Sequence, residues 1–428
     1  MGKLLLVVSD KMDTNKKPDR EENILIRLPK KARESVNLPL INLGVGKPRL
    51  KVFEAFSQDI KSVINKGICD KETIGNVAFV TSTTFKKVFP NSNDTFGEIN
   101  YLKTTDTDEV NITIGADPEF LLFNDEGNVI RANNIMAKGG KIGSDGAMAE
   151  VRPDPSDDPV VVSNNISDIF SNTELIKPIE NFIWKASVYF KDVQRDYPVG
   201  GHIHLGNTQF VDGIPMPTRN ILFSTMNKIL DELLALPMIK IDGKDEGKNR
   251  RSNCQMALGN QGYGYYGEWR MCSGRLEHRT LSGLWLMHPT IASGVLAAAK
   301  TITEEAHRFL LSGGYNPKLF THREVNTKNY RIMYNDEFDG WSSIPLAKEM
   351  GCIKSSSYMK NVLNNSTSSS INAKFLKSWY NKMKNMAGYK KYPDQIDALH
   401  EILSMPRKEV VKVGMDIKEN WLNKKELL

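Results

Sequence analysis

The stretch VGGHIHLGN, residues 199–207, sets how the rest of the chain is read. The sequence has seven histidines in 428 residues, and two of them, His202 and His204, stand one residue apart between Gly200–Gly201 and Gly206. In an extended strand residues i and i+2 point to one face, so both imidazoles look one way while Ile203 and Leu205 look the other. Gly200, Gly201 and Gly206 leave room for backbone or ligand to come close. An isolated HxH is compatible with a strand that turns two polar residues to solvent. Three further segments repeat the pattern: Asp117 and Glu119 in GADPEF, Glu150 and Arg152 in AEVRP, and Glu277 and Arg279 in RLEHRT. Each ionisable pair interrupts a short, mostly apolar, strand-like run.

An antiparallel sheet can turn one face to a core and the other to water or ligand. Four such strands side by side would collect three glutamates, one aspartate, two histidines and two arginines on the open face. Carboxylates crowded together repel and are driven toward protonation unless cations neutralise them. Mg²⁺, or Mn²⁺ with an imidazole among its ligands, suits such a donor set. Arg152 and Arg279 would then grip phosphate or carboxylate groups in bidentate fashion. Metal, arginine and carboxylates together are the equipment of phosphoryl transfer.

The connecting segments point the same way. KIGSDGAMAEVRP sets a glycine-bracketed turn, Gly143 to Gly146, ahead of Glu150, and YGYYGEWR (263–270) sets Gly264 and Gly267 ahead of Glu268 and Arg270. Arg250, Arg251, Arg270 and Arg275 make the approach to Glu277 basic, so a nucleoside triphosphate would find guanidinium groups and backbone amides there. The chain lacks GxxxxGK[ST], so an ATP site here is not a P-loop. It also lacks a GxSxG elbow for a serine nucleophile.

Composition sets the outer bounds. Apolar content of 40% and charged content of 25% are those of an ordinary globular protein. A net charge of +6, from 57 basic and 51 acidic residues, suits anionic ligands but does not indicate nucleic acid. Four cysteines without CxxC suggest a reducing, cytoplasmic setting, and no apolar run has the length of a membrane span. Leu284 to Leu296 reads as a buried helix.

The organisation expected is α+β. Residues 1–90 form a small β-rich accessory domain (LLLVV, NILIRL, AFVTST) with one helical stretch at VFEAFSQDIKSVINKG. Residues 91–111 are a polar linker, and 112–311 hold the alternating strands and helices. Residues 312–428 are a mainly helical extension with a Ser/Asn-rich loop at SSSYMKNVLNNSTSSS. ITIGADPEFLLFNDEGNVI reads as two strands around a turn. ISDIFSNTELIKPIENFIWKASVYF reads as mostly helical, its Trp and Tyr packing inward. Met226, Leu230, Leu233 and Leu234 read as helix core. His278 alternates away from the Glu277/Arg279 face and reads as packed or paired; His288, His307, His322 and His400 read as structural or exposed.

GADPEF, SDGAMAEVRP, GGHIHLG and YGYYGEWR…GRLEHRTLSG, in that order over residues 112–310, resemble the phage-type carboxylate–amine ligases of the glutamine synthetase and glutamate–cysteine ligase superfamily. The resemblance implies a curved antiparallel sheet forming a funnel with helices packed on one face, and amide formation through an acyl phosphate. ATP is the co-substrate and Mg²⁺ or Mn²⁺ the cofactor. It implies metal ligands at Asp117, Glu119, Glu150 and Glu277, and phosphate binding at Arg279. A histidine of the HxH strand completes a metal or nucleotide contact. Spacing alone does not choose between the two, and the working assignment is His202 to the metal and His204 to ATP. Arg152, Arg270 and Arg275 are expected to join Arg279 as ATP-binding residues, and Glu150 and Asp145 are candidates for the base. Asp117 stands where the superfamily often has glutamate, which shortens its reach by one methylene. The partners implied are small-molecule or peptide carboxylates and amines, with self-association open. If the chain is phage-encoded, its place is the cytoplasm of a bacterial host.

Two other functions fit some of the same residues. A metal-dependent hydrolase could use HxH and carboxylates around Zn²⁺, but it leaves Arg270, Arg279 and the basic glycine-rich segment without a task. A non-catalytic nucleotide-binding phage protein would hold ATP without releasing ADP.

Overall fold

The computed structural model describes residues 112–428 apart from 194, 207–215, 255–262, 273–274, 313–349, 353, 424 and 428; side chains at 216–222, 309–312 and 356 are also outside the description. Before residue 112 it describes the backbone of four strands, β1 (Leu4–Ser9), β2 (Leu40–Ile41), β3 (Leu50–Ala55) and β4 (Val77–Thr81), in one sheet of order β2-β3-β1-β4. The start of VFEAFSQDIKSVINKG, read as helix, is therefore strand β3. Its residues Leu50–Ala55 pair antiparallel with β1. NILIRL, His322 and the expected linker lie outside the described residues.

The main sheet is built around β5 (Thr113–Phe123), the long strand that carries GADPEF. After it come β6 (Val129–Ile130), β7 (Ile142–Asp145), β8 (Met148–Val151), β9 (Ile183–Lys185), β10 (Tyr189–Lys191), β11 (Asp196–Pro198), β12 (Gly201–Gly206), β13 (Trp269–Cys272) and β14 (Arg275–His278). The path is β13-β14-β12-β5-β8-β7, with β6 and β9 pairing the far end of β5, and every pairing within it is antiparallel. The expected hairpin after GADPEF forms, with β6 returning on β5 and Gly127 in the turn at φ 80°.

Side-chain parity divides the sheet. Ile114, Ala116, Phe120 and Leu122 of β5, Ala149 and Val151 of β8, Ile203 and Leu205 of β12, and Leu276 of β14 all enter one large core. Helices cover that face: α1 (Pro159–Ser171), α2 (Met216–Leu230) and α3 (Pro289–Ser312). Asp158 caps α1 by accepting from Val160 N, and Pro159 follows at the first helical position, where a missing N–H costs nothing. α2 runs into a π-helical turn, Asp231–Ala235, and onward as Leu236–Asp242. Met226, Leu230, Leu233 and Leu234 are buried as expected, as is the Leu284–Leu296 segment, which is a 3₁₀ turn followed by α3 from Pro289.

Two sequence readings are corrected. FIWKASVYF is not helical: it forms β9 and β10 after α1 ends at Ser171 and a short turn of helix closes at Ile176. It is rich in β-branched and aromatic residues, and Trp184 gains more by packing on Phe120 and Phe170 at 6.0 and 5.5 Å than helical propensity offers. The Ser/Asn-rich stretch is not only loop, because Ser355 caps a helix, Ser356–Asn364, through Tyr358 N. Its Tyr358, Met359, Val362 and Leu363 recur at helical spacing, and this outweighs the polar composition.

The last described segment packs on the core through α4 (Ala373–Asn385), α5 (Pro393–Ser404) and the short helix Ile417–Leu422. Trp379 Nε1 donates to Leu233 O at 2.6 Å and Trp421 Nε1 to Leu286 O at 2.7 Å. Trp421 also meets Phe170 of α1 edge to face at 5.5 Å. Among the described residues no helix is long and apolar enough to cross a membrane.

Trp421→Ala should lower stability by about 3–5 kcal/mol through the cavity it leaves. Trp421→Phe, which keeps most of the ring but strands the Leu286 carbonyl, should lose about 1–2 kcal/mol. Thermal melts of the full chain should therefore rank wild type above Phe above Ala.

Candidate functional site

The open face of the sheet is assembled by register. Opposite residues in antiparallel strands bring their side chains together on one face. His202 lies opposite Asp117, His204 opposite both Gly115 and Glu277, Glu277 opposite Arg270, and Glu119 opposite Glu150. The four spaced pairs of the sequence thus share a face, although Arg152 and Arg279 fall one residue past the ends of β8 and β14.

Glycine makes the register possible at Gly201. A side chain there would run into the Ser282 carbonyl and the Trp285 indole, which donates to Gly201 O at 3.0 Å. The histidine strand is consequently pressed against the segment that follows β14.

Asp117, His202 and Glu277 bring one donor atom each within 4.8 Å of one another. His202 Nδ1 stands 3.3 Å from Asp117 Oδ1 and 3.5 Å from Glu277 Oε1, and His204 Nε2 stands 2.8 Å from Asp117 Oδ2. Burial alone would raise the Asp117 carboxyl, but the hydrogen bonds and charge of His202 and His204 outweigh it and hold the group well below the usual carboxylate range. Burial likewise works against Glu277, which is fully buried; the charges of His202 and Arg279 prevail and hold it down at about 2. Arg270 and Arg279 both ion-pair with Glu277, and Cys272 Sγ donates to its Oε2 at 2.8 Å. The Cys272 thiol is pushed up to about 11 by burial and by that carboxylate, so it is a hydrogen-bond donor rather than a thiolate nucleophile.

These residues fit a divalent cation. The three donors are two carboxylates and an imidazole, and Asp117 Oδ1 is buried, facing His202 Nδ1 at 3.3 Å. Glu119 and Glu150 lie beside this cluster rather than in it. Glu119 is fully buried; Gly200 N donates to its Oε2 at 2.6 Å, and Tyr263 Oη stands 3.2 Å from its Oε1. Burial raises the Glu119 carboxyl above its ordinary value. Glu150 is ion-paired with Arg152, whose guanidinium also reaches the carbonyls of Gly140 and Ser144.

The arginines separate into two groups. Arg279 is buried between Glu277 and Glu268, with its Nε 3.2 Å from Glu268 Oε1. Arg270 has about half of its side chain exposed (47%), and Arg275 is exposed, donating to His204 Nδ1 at 3.0 Å. Arg250 and Arg251, read from sequence as part of a nucleotide-facing stretch, are instead fully buried. Arg250 donates to the carbonyls of Arg279, Thr280 and Leu281 at 3.2, 2.9 and 2.7 Å, and Arg251 pairs with Asp242. They brace the segment that holds Arg279 in place, because a buried cation must find partners and these carbonyls have left the sheet ladder.

The sequence reading missed Tyr263 and left Glu268 without a role. Tyr263 Oη lies 2.9 Å from His202 Nε2, and Glu268 accepts from Arg279 and from Gly264 N. YGYYGEWR signalled its glycines and Arg270, and gave no sign of Tyr263. The segment is clipped to the helical layer by Asp231, which accepts from Gly267 N at 2.7 Å and from Thr280 Oγ1 at 2.6 Å. His278 is packed as expected, bonded to Asn227 Oδ1 at 2.7 Å, and His288 and His307 are buried.

Residues 114–320 match the model of the family described as "Phage phiEco32-like COOH.NH2 ligase-type 2". A solved structure described as "Apo GmaS without ligand" is similar at 11% identity and a TM-score of 0.30, covering 84% of this chain and 96% of that one. No curated protein sequence matches the chain.

The sign of the Glu277 shift gives an acid signature. Its carboxyl ordinarily titrates at 4.5 and in the fold at about 2, so the stabilisation is complete above pH 4.5 and is lost as pH falls toward 2. The melting temperature of wild type should drop across that window, and Glu277→Gln, which has no proton to gain, should show a flatter profile there.

Proposed function

We propose, from the match of residues 114–320 to a carboxylate–amine ligase family, that the chain is an enzyme forming carbon–nitrogen bonds, which condenses a carboxylate with an amine at the expense of ATP in a Mg²⁺- or Mn²⁺-dependent reaction through an acyl phosphate. The observation that carries this reading is the convergence of Asp117, His202 and Glu277 beside Arg279 and Arg270. On this reading the antiparallel sheet is the curved funnel of a glutamine synthetase-like core spanning 112–311. Residues 1–90 are an accessory β-rich domain joined by a linker over 91–111, and 312–428 are a helical extension.

Asp117, His202 and Glu277 would hold the cation, with Glu119 and Glu150 next along the strands. When bound, the ion neutralises charge on the ATP phosphates and makes the γ-phosphorus easier to attack. Arg279 is fixed by two carboxylates and by the braced backbone behind it, so it meets developing negative charge without having to reorganise. The half-exposed Arg270 and the exposed Arg275 lie on the outer strands, where they can grip phosphate oxygens, with His204 beside Arg275.

The substrate carboxylate attacks the γ-phosphorus, ADP leaves, and the acyl phosphate forms. The amine then attacks the acyl carbon, phosphate leaves, and one amine proton passes to a base. Glu150 or Asp145 is the proposed base. Glu150 and Arg152 are ion-paired with each other, so base action by one and phosphate binding by the other require that pair to open.

ADP release should appear only with Mg²⁺ or Mn²⁺ present, and should match new amide one for one in pools of carboxylates and amines. Arg279→Lys should lower turnover about 10²–10³-fold, as for loss of a preorganised charge donor, and Glu277→Ala should abolish it. Hydrolysis of a test amide or ester by Zn²⁺-loaded protein without ATP would instead establish the hydrolase.

A further inference from the structure

Tyr263 stands in a place that leaves its ring little choice. Arg250 lies 5.3 Å and Arg279 5.2 Å from the ring centroid, and Arg250 is itself fixed to three backbone carbonyls. The hydroxyl meets two partners, His202 Nε2 at 2.9 Å and Glu119 Oε1 at 3.2 Å. The other oxygen of Glu119 is taken by Gly200 N at 2.6 Å, so Oε1 is the one open to the phenol.

A phenol carries one hydrogen. If Tyr263 donates it to Glu119, the hydrogen bond to His202 must run the other way, from a hydrogen on Nε2. If Tyr263 donates to His202 Nε2, the imidazole hydrogen sits on Nδ1. That nitrogen faces Asp117 Oδ1 at 3.3 Å and Glu277 Oε1 at 3.5 Å. With hydrogen on Nδ1 the two carboxylates have a donor between them. With a cation among the three residues, Nδ1 must present its lone pair, and the hydrogen belongs on Nε2.

We propose that Tyr263 is a positioning residue whose hydroxyl turns from His202 Nε2 to Glu119 Oε1 as a divalent cation is taken up by Asp117, His202 and Glu277. Glu119 Oε1 then ends the chain as its acceptor. The exchange gains and loses no protons: one leaves Nδ1, one arrives at Nε2, and the phenol hydrogen rotates between two acceptors. The inference rests on the cation-dependent reading above and adds to it how the histidine is made ready.

The test uses the full chain with ¹⁵N-histidine, the His202 signals being those lost in His202→Gln. Without a divalent ion, long-range ¹H–¹⁵N spectra should show hydrogen on Nδ1 of His202; with saturating Mg²⁺ they should show it on Nε2. Tyr263→Phe keeps the ring between the two guanidinium groups and should weaken Mn²⁺ binding, measured by electron paramagnetic resonance, by about tenfold or more, the usual effect of removing a partner behind a ligand. Hydrogen remaining on Nδ1 under saturating Mg²⁺ overturns the proposal in wild type alone, whether or not the variant folds. A Tyr263→Phe protein that binds Mn²⁺ as wild type does also overturns it, and leaves the ligase reading standing. Absence of any Mn²⁺ binding by wild type sinks both. A tautomer change with no ADP from any substrate pair upholds the role of Tyr263 and removes the ligase.

Discussion

A fully buried carboxylate at the meeting point of three strands is the constraint on which the site depends. Removing a charge from water costs several kcal/mol even after relaxation, on the order of what one domain has to spare. Glu277 is tolerable there because Arg270, Arg279 and Cys272 all donate to it and His202 faces it. Each partner comes from a different position in the sheet, so the charge can be accommodated only when β13, β14 and β12 are in register. The electrostatics of the site and the pairing of the strands are one problem with one solution.

The surrounding structure serves that solution from behind. Arg250 takes up the carbonyls of residues 279–281, and Asp231 clips Gly267 and Thr280 to the helical layer at a π-helical turn, a feature often met near functional sites. Arg279 and Tyr263 are therefore held from the back as well as from the front. The guanidinium groups open to water and those that anchor backbone belong to the same basic stretch of sequence, yet their surroundings give them different work. Arg270 is half in water, and Arg250 is wholly within the protein.

The i, i+2 pattern was legible because strand parity is strict. Once Ile203 and Leu205 are committed to a core, His202 and His204 have only the other face, and the same holds for Asp117 and Glu119 between Ala116 and Phe120. Periodicity misled where tertiary packing was stronger than local preference. Trp184 is drawn into the aromatic cluster with Phe120 and Phe170, which turns an expected helix into strands. Serine and asparagine around residue 360 hid a helix whose apolar residues recur at the right spacing.

By itself the sequence determined that acidic, imidazole and guanidinium groups share one face of an antiparallel sheet, since alternation needs only the backbone. It also carried the order of motifs that lies within the match to the carboxylate–amine ligase family model over residues 114–320. Only the tertiary structure decided which carboxylates converge, which arginines are spent on carbonyls, and that Tyr263 stands between His202 and Glu119. Register and the approach of distant segments fix those contacts, and neither quantity is written in the spacing of residues along one strand.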